Sequence, residues 1–295
     1  LSSLNLEKYD DWKDTRIVKD LIRFLDNVLQ FFIGHAPDTV QRAKYSAIQE
    51  RSLGLGAMGL HSYYHKHRIP FDSEMATMIN TEIFAKIKED AVEETKILAE
   101  ERGEAPDMKG TGRRNAHLLA IAPNANSSMI VSCSPSIEPL KANAYTHRTR
   151  AGSHLIKNKY LEEELIKVNM NTPEVWTSII TNGGSVQHLE FLDDKVKNIF
   201  KTAIEINQRV LVEQGGDRQK FLCQGQSLNL FFPAGATKSY LHKVHMAAWE
   251  RECKGLYYLR TETSQRAENV AEKVELDKLV DYKNTEEDDC VACQG

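Results

Sequence analysis

Ser227-Leu-Asn-Leu-Phe-Phe-Pro233, a helical pattern over Lys238–Lys254, and Leu256-Tyr-Tyr-Leu259 decide the architecture of this chain. The first run is short and apolar and stops at a proline, which reads as a strand. The helical pattern ends at Gly255, a helix stop, and a second short apolar run follows. Strand, helix and strand in immediate succession imply an α/β layer architecture.

The alternation continues upstream. Val18, Leu21, Ile22, Leu25, Val28, Leu29 and Phe32 recur with helical spacing, so Ile17–Phe32 is a helix facing a core. Further helices are expected over Thr39–Gln49, Leu60–His67, and from Ser73 as N-cap to Arg102 before Gly103. Leu118–Ala122 reads as a buried strand, Met129–Val131 as backbone running out of a loop, and Ala144–Ile156 as a β-ribbon. Helices follow at Tyr160–Val168, Pro173–Thr181 and Asp194–Glu213. No internal repeat is present.

The 295 residues are 41% hydrophobic and 27% charged, with a net charge of −4. No global basic field advertises nucleic acid or an anionic membrane. The longest apolar stretches, such as Leu118-Leu-Ala-Ile-Ala-Pro123, are too short to span a bilayer, and Leu1–Glu7 lacks the features of a signal peptide. Five cysteines without framework spacing argue for a reducing compartment and hence a cytoplasmic protein. Leu1 is not an initiator methionine, so the sequence begins inside a longer frame, is processed, or starts from a non-standard codon. From Arg266 onward apolar content collapses and nine acidic residues face four basic ones. Such a segment buries too little surface to offset its ordering entropy. The expected division is therefore 1–265 as folded domain and 266–295 as flexible tail.

Several motifs carry chemistry. Gly54-Leu-Gly-Ala-Met-Gly59 has the letters of a dinucleotide fingerprint, but polar, helix-like Lys44–Arg51 precedes it where a strand is required. A tight turn into the next helix is the expected role. Pro123-Asn-Ala-Asn-Ser-Ser-Met129 follows a strand with small polar residues. It suits either an anion held by backbone N–H groups or a solvated loop closed by Asx-turns. Ser134-Pro-Ser-Ile-Glu-Pro139 is a rigid connector in which Glu138 reads as a loop acid, and Cys133, Cys223 and Cys253 read as buried thiols. His61 and His65 share a helix face but have no third ligand, so no metal site is expected. Cys290-Val-Ala-Cys293 lacks the two further ligands a metal needs and the helix start of a thioredoxin motif. A mobile dithiol that exchanges with disulfides remains. Tyr257-Tyr258 is strand packing on its own, but ahead of a terminal dithiol it suggests a phenol pair carrying an oxidising equivalent.

The segments Leu1-Ser-Ser-Leu-Asn-Leu6, Arg51–Gly59, Pro123–Ser128 with Ser136-Ile-Glu-Pro139, Gln226-Ser-Leu-Asn-Leu-Phe231, Leu256-Tyr-Tyr258 and the Cys-x-x-Cys keep one order from end to end. Together they resemble the large subunit of class I ribonucleotide reductase. The resemblance implies a ten-stranded α/β barrel threaded by a finger loop, of which this chain is the carboxy-terminal half, cut just after a redox cysteine. No counterpart of the radical cysteine or of the effector regions is found, which implies one piece of a split or phage-type enzyme, in the host cytoplasm if phage-encoded.

The implied function is reduction of ribonucleoside diphosphates to deoxyribonucleotides. Pro123, Asn124, Ala125, Asn126 and Ser127 would cradle the substrate's diphosphate, with Ser128 a further donor. Tyr257 and Tyr258 would be a stacked radical-transfer pair. Cys290 and Cys293 would re-reduce the active-site disulfide and be reduced in turn by thioredoxin or glutaredoxin. This chain would bind no cofactor itself; a metallo-cofactor with a tyrosyl radical sits in a separate small subunit, and nucleotide effectors bind the missing amino-terminal half. Two other readings stand beside this one: an NAD(P)-dependent oxidoreductase using Gly54–Gly59, and a non-catalytic structural or interaction fragment.

Overall fold

The computed structural model describes residues 1–149 and 152–261. In chain order the elements are β1 (Ser2–Asn5), α1 (Tyr9–Trp12), α2 (Ile17–His35), α3 (Gln41–Glu50), β2 (Leu55–Met58), α4 (Leu60–Lys66), α5 (Glu74–Arg102) and α6 (Ala125–Ile130). A hairpin of β3 (Ala144–Thr149) and β4 (Gly152–Lys157) follows, then α7 (Lys159–Lys167), α8 (Pro173–Thr181), α9 (Asp194–Ile199), α10 (Gln208–Gln219), β5 (Leu230–Phe232), α11 (Lys238–Glu250) and β6 (Leu259–Thr261). Among the described residues no helix is long and apolar enough to cross a membrane.

Apart from the hairpin, every strand pairing among the described residues is parallel. β1 lies on β2 from Ser2↔Leu55 to Asn5↔Met58, and β5 lies on β6 from Leu230↔Leu259 to Phe232↔Thr261. Single bridges, Leu55↔Leu119 and Ile121↔Gln226, join β2 to the 117–121 segment and that segment to the run leading into β5. Main-chain bonds such as Leu55 N–H to Leu118 O (2.8 Å) and Ser227 N–H to Ile121 O (2.9 Å) hold the series. Parallel neighbours need long crossovers, and helices supply them here. The series runs from β1 to β6 without returning to β1, so among the described residues the sheet is not closed. The α/β class is observed; the ten-stranded closure is not.

Local chemistry explains the element ends. Ser73 caps α5, its hydroxyl accepting from Ala76 N–H at 3.2 Å, the interaction N-caps are selected for. α2 buries Val18, Ile22 and Leu25 in the main core and sets Asp26, fully buried, against the end of α5. There Arg51 Nε, Arg102 Nη1 and Arg114 Nε each donate to the Asp26 carboxylate at 2.9 Å. A second, smaller core gathers Leu161, Leu165, Trp176, Ile179, Val196 and Phe200 beside the hairpin.

Four expectations need correction. Gly54–Gly59 is not a turn: Leu55–Met58 is a wholly buried strand, and only Gly59, at φ 83°, makes the turn into α4. Gly56 is there because a Cβ would lie 2.4 Å from Ala120 O of the neighbouring segment. With Gly56 in a buried strand and Gly54 buried just ahead of it, the segment presents no loop to cradle a pyrophosphate. Met129–Val131 is the end of α6 rather than extended backbone. The expected Asp194–Glu213 helix breaks at Phe200–Asn207, where Glu205 accepts from Thr202 N–H and hydroxyl (2.7 and 2.9 Å) and Asn207 caps α10. The last strand begins at Leu259, two residues after the start of the tyrosine pair.

Candidate functional site

In open parallel sheets ligands gather beyond the carboxyl ends of the strands. One constellation stands there, and a second stands at the start of β6. The first is built on the segment that follows Ile121. Asn124 accepts from Ser3 Oγ of β1 at 2.9 Å and donates to Ala57 O of β2 (3.3 Å) and to Ala122 O (2.8 Å). Its side chain is thus spent on tying the loop to the strand ends. The expected loop winds into the short helix α6, whose first hydrogen bond is Ser128 N–H to Asn124 O at 2.9 Å. The N–H groups of Ala125, Asn126 and Ser127 precede that bond, so the helix gives them no partner, and all three residues are exposed. Pro123 has no N–H and can only direct the chain. Ser128 is buried with its hydroxyl on Ala125 O (3.0 Å), so it is no further donor.

The loop after α6 is held by α4. Ser62 N–H donates to Ser134 Oγ (3.0 Å) and Ser134 N–H to Ser62 Oγ (2.7 Å), a reciprocal pair. Gly59 N–H donates to Ser134 O and Leu140 N–H to His61 Nδ1 at 2.8 Å. Lys159 bridges the Glu7 carboxylate (2.5 Å) and Ser132 O (3.1 Å), which fixes the end of α6 to the end of β1. Cys133 lies beside Glu7 and is half-buried; burial, then the Glu7 charge, push its thiol up to about 12. It is an inert thiol, as buried cysteines are.

The second constellation is the tyrosine pair. Tyr257 and Tyr258 are 47% and 46% exposed, with ring centroids 4.1 Å apart and planes 48° apart, tilted rather than stacked. Tyr257 Oη donates to Tyr258 Oη at 3.3 Å, and that bond, followed by the Tyr258 charge, raises the Tyr257 pKa. The Arg260 guanidinium lies 5.1 Å from the Tyr258 ring centroid, within cation–π range. The backbone is pinned by Tyr257 N–H to Leu228 O and Leu230 N–H to Tyr258 O, both 2.8 Å. Tyr258 N–H goes to the side chain of Asn229 (3.0 Å) instead of a main-chain carbonyl. This side-chain bond interrupts the ladder and explains why the strand starts only at Leu259.

Glu138, a loop acid by its sequence context, is bonded to the residue that accepts from Tyr258 N–H. It is buried, and its carboxylate accepts from Asn229 N–H (2.6 Å) and Asn229 Nδ2 (3.0 Å). Asn229 itself stands between two buried leucines, Leu228 and Leu230; a polar residue inside an apolar run is the signal that was available. Cys290 and Cys293 lie outside the described residues. Among the described residues no group of three or more His, Cys, Asp or Glu is placed to hold a metal.

The family model for "Ribonucleotide reductase, barrel domain" matches residues 1–112 and 105–259. Over 299 residues the chain is 52% identical to a protein of Frog virus 3 (isolate Goorha) provisionally named a ribonucleoside-diphosphate reductase large subunit, covering 100% of this chain and 52% of that one. It is 44% identical over 300 residues to the ribonucleoside-diphosphate reductase large subunit of Invertebrate iridescent virus 3, covering 100% of this chain and 47% of that subunit. The solved Actinobacillus ureae class Id ribonucleotide reductase alpha subunit superposes with a TM-score of 0.84 at 39% identity, over 90% of this chain and 50% of that one. The chain therefore spans about half the length of these relatives. With a matched region that runs from the first described strand to the last, the chain belongs to the ribonucleotide reductase barrel-domain family.

Proposed function

We propose that this chain contributes to a ribonucleoside-diphosphate reductase the substrate-phosphate loop, the radical-transfer tyrosines and the shuttle dithiol. The observation that carries the reading is the Tyr257–Tyr258 contact: two exposed phenols, hydroxyl to hydroxyl, within a family match. A phenol holds its proton at neutral pH, so oxidising it requires the proton to leave with the electron. Adjacent hydroxyls give that proton somewhere to go. The parallel strands would be one side of the ten-stranded barrel. The oxidising equivalent would come from a metallo-cofactor in a separate small subunit docked over the exposed pair.

Beyond β2 and the 117–121 segment, the N–H groups of Ala125, Asn126 and Ser127 and the Ser127 hydroxyl would take the substrate's diphosphate, a use that helix starts suit. Asn124 and Pro123 would hold the loop in place. Reduction removes the ribose hydroxyl as water while a dithiol on the rest of the subunit becomes a disulfide. Cys290 and Cys293 would return that disulfide to thiols by exchange and be reduced by thioredoxin or glutaredoxin. Nucleotide effectors would bind the amino-terminal half, which must be supplied for turnover, and the enzyme would act in the cytoplasm.

The test is Tyr257→Phe and Tyr258→Phe in a reductase assembled from a large subunit containing this sequence and its small subunit. Phenylalanine keeps the ring but has no phenolic proton and is much harder to oxidise. Each variant should lose turnover with its thermal unfolding unchanged, since both side chains are exposed. Turnover at the wild-type rate in either variant would make that tyrosine ordinary surface packing.

A further inference from the structure

The most unusual polar arrangement outside the two described constellations is the one beneath the tyrosine pair. Glu138 is 6% exposed, yet both of its oxygens accept from the same residue, Asn229, through the backbone N–H at 2.6 Å and Nδ2 at 3.0 Å. The remaining polar atom of the Asn229 side chain, Oδ1, accepts from Tyr258 N–H at 3.0 Å. A buried carboxylate, an amide and the backbone of the pair thus form one chain of bonds, with the Lys141 and Arg260 charges acting on the carboxylate. Burial holds the Glu138 carboxyl above its usual range even against the bonds from Asn229, so the group sits there at an energetic cost that its packing role must offset.

We infer that Glu138 and Asn229 are positioning residues that set Tyr258 against Tyr257 for radical transfer. The inference rests on the tyrosine reading given above. Without the Asn229 acceptor, Tyr258 N–H faces no ladder partner, and the two main-chain bonds on either side leave the peptide between Tyr257 and Tyr258 free to rotate. A contact already as long as 3.3 Å between the hydroxyls has little tolerance for such a shift. Glu138 acts one step further back. With the backbone N–H and Nδ2 of Asn229 both on the Glu138 carboxylate, the amide is oriented with Oδ1 toward Tyr258.

The polarity of this chain can be reversed, and that provides the experiment. Glu138→Gln places an amide NH2 against a donor of Asn229. Asn229→Asp places a carboxylate against the Glu138 carboxylate. When Glu138→Gln and Asn229→Asp are combined, the new amide oxygen at position 138 accepts from the backbone N–H at position 229. The new amide NH2 donates to the carboxylate introduced at position 229, whose second oxygen accepts from Tyr258 N–H, so every bond is satisfied again. Measured as kcat and KM in the assembled reductase, each single variant should lose at least about tenfold in kcat with the nucleoside diphosphate KM unchanged, the range expected for a reacting group displaced by an ångström or less. The double variant should recover kcat to within about threefold of wild type, the coupling a double-mutant cycle isolates.

Wild-type kcat in Glu138→Gln, or a folded double variant no better than the singles, would overturn the inference. If a single variant does not fold, the double variant carries the test alone: recovered folding with recovered turnover supports the clamp, and recovered folding without turnover overturns it. Tyr257→Phe and Tyr258→Phe are measured alongside. Activity in those variants defeats the tyrosine reading itself, whereas inactive tyrosine variants beside an unaffected Glu138→Gln defeat only the clamp.

Discussion

Lowering the pH from 7.5 to 5.0 should destabilise this protein chiefly through His61 and His65. Both imidazoles are buried, 3.9 Å apart between ring centroids, and walled by Phe71 and Phe200. His61 Nδ1 accepts from Leu140 N–H and His65 Nδ1 pairs with Asn158 Nδ2 at 3.2 Å. Asn158 Oδ1 is engaged by Tyr160 N–H, so its Nδ2 is the donor toward His65. Each ring must therefore be neutral with its proton on Nε2, and adding a second proton means putting it on the nitrogen that already accepts. Desolvation and, for His61, the neighbouring His65 lower both pKa values, that of His65 to about 3. No carboxylate stands among the groups that shift either ring.

A histidine whose folded pKa is depressed takes up its proton first in the unfolded chain. Its stabilising effect is complete above the unfolded value near 6.5 and is lost as pH falls below it, down to the folded pKa. The slope is about 1.4 kcal/mol per pH unit and group. At pH 5.0 His65 alone should therefore have cost about 2 kcal/mol, and His61 adds to this with the same sign. Against a typical total of about 5–15 kcal/mol the loss is large. Carboxylates held low by ion pairs, such as Asp26, titrate below this window. Urea unfolding at pH 7.5, 6.5, 5.5 and 5.0 measures the effect. His61→Asn and His65→Asn keep an acceptor where Nδ1 stood, so each should be less stable at pH 7.5 but lose less on acidification. Parallel stability–pH curves for wild type and both variants would refute the argument, because other titrating groups cancel in the difference.

Two further outcomes are expected. Asp26→Ala should lower stability by about 3–5 kcal/mol, since it leaves the Arg51, Arg102 and Arg114 guanidiniums without their shared carboxylate; a change below about 1 kcal/mol by chemical denaturation would show that water replaces Asp26 without loss. Burial pushes the Asp26 carboxyl up, but the Arg51 and Arg114 bonds outweigh it and hold it below its ordinary value; its contribution is present above the ordinary carboxylate range and disappears as pH falls through the folded pKa. Replacing Cys290 and Cys293 with serine in the assembled reductase should abolish turnover driven by thioredoxin or glutaredoxin while dithiothreitol still supports it, and equal loss with both reductants would make the two cysteines structural.

What was legible in the sequence follows from periodicity and caps. α2, α5 and α8 are found where the apolar spacing, Ser73 and Pro173 put them, because those signals are local. The strand at Leu55–Met58 was not legible. A run of Leu-Gly-Ala-Met has weak strand propensity, and the reason for Gly56 lies far along the chain in the carbonyl of Ala120. β1 was missed because its four residues are too few to show alternation. Tyr257-Tyr258 stood out as a pair from the letters alone. Their exposure, their tilt and the interruption of the ladder at Asn229 depend on contacts with Leu228–Leu230, which no local pattern encodes. Glu138 was illegible from its own context, because Ser-Ile-Glu-Pro looks the same whether its acid meets solvent or a buried amide, and only Asn229 between two leucines hinted at a buried partner.

The two constellations are not independent pieces. Asn124 is bonded to Ser3 and Ala57 at one end of the 124–138 segment, and Glu138 is bonded to Asn229 at the other. Between them the segment is clamped rather than free: Lys159 holds Ser132, Ser62 and Ser134 bond each other reciprocally, Gly59 N–H takes Ser134 O, and Leu60 N–H reaches Ser136 O. A shift of the 124 end would therefore pass along a braced connector to the residues bonded to Tyr258 N–H. In the proposed enzyme this gives a physical route by which seating a diphosphate on Ala125–Ser127 would bear on the tyrosine pair without any contact between substrate and phenol. The route is defined by bonds that can be cut one at a time. Ser62→Ala removes the hydroxyl that accepts from Ser134 N–H, at a site that belongs to neither the 123–127 loop nor the tyrosine pair. If the brace transmits position, the variant should bind nucleoside diphosphate as before yet lose the kcat that depends on Tyr258 geometry; if each constellation holds itself in place, neither parameter should move.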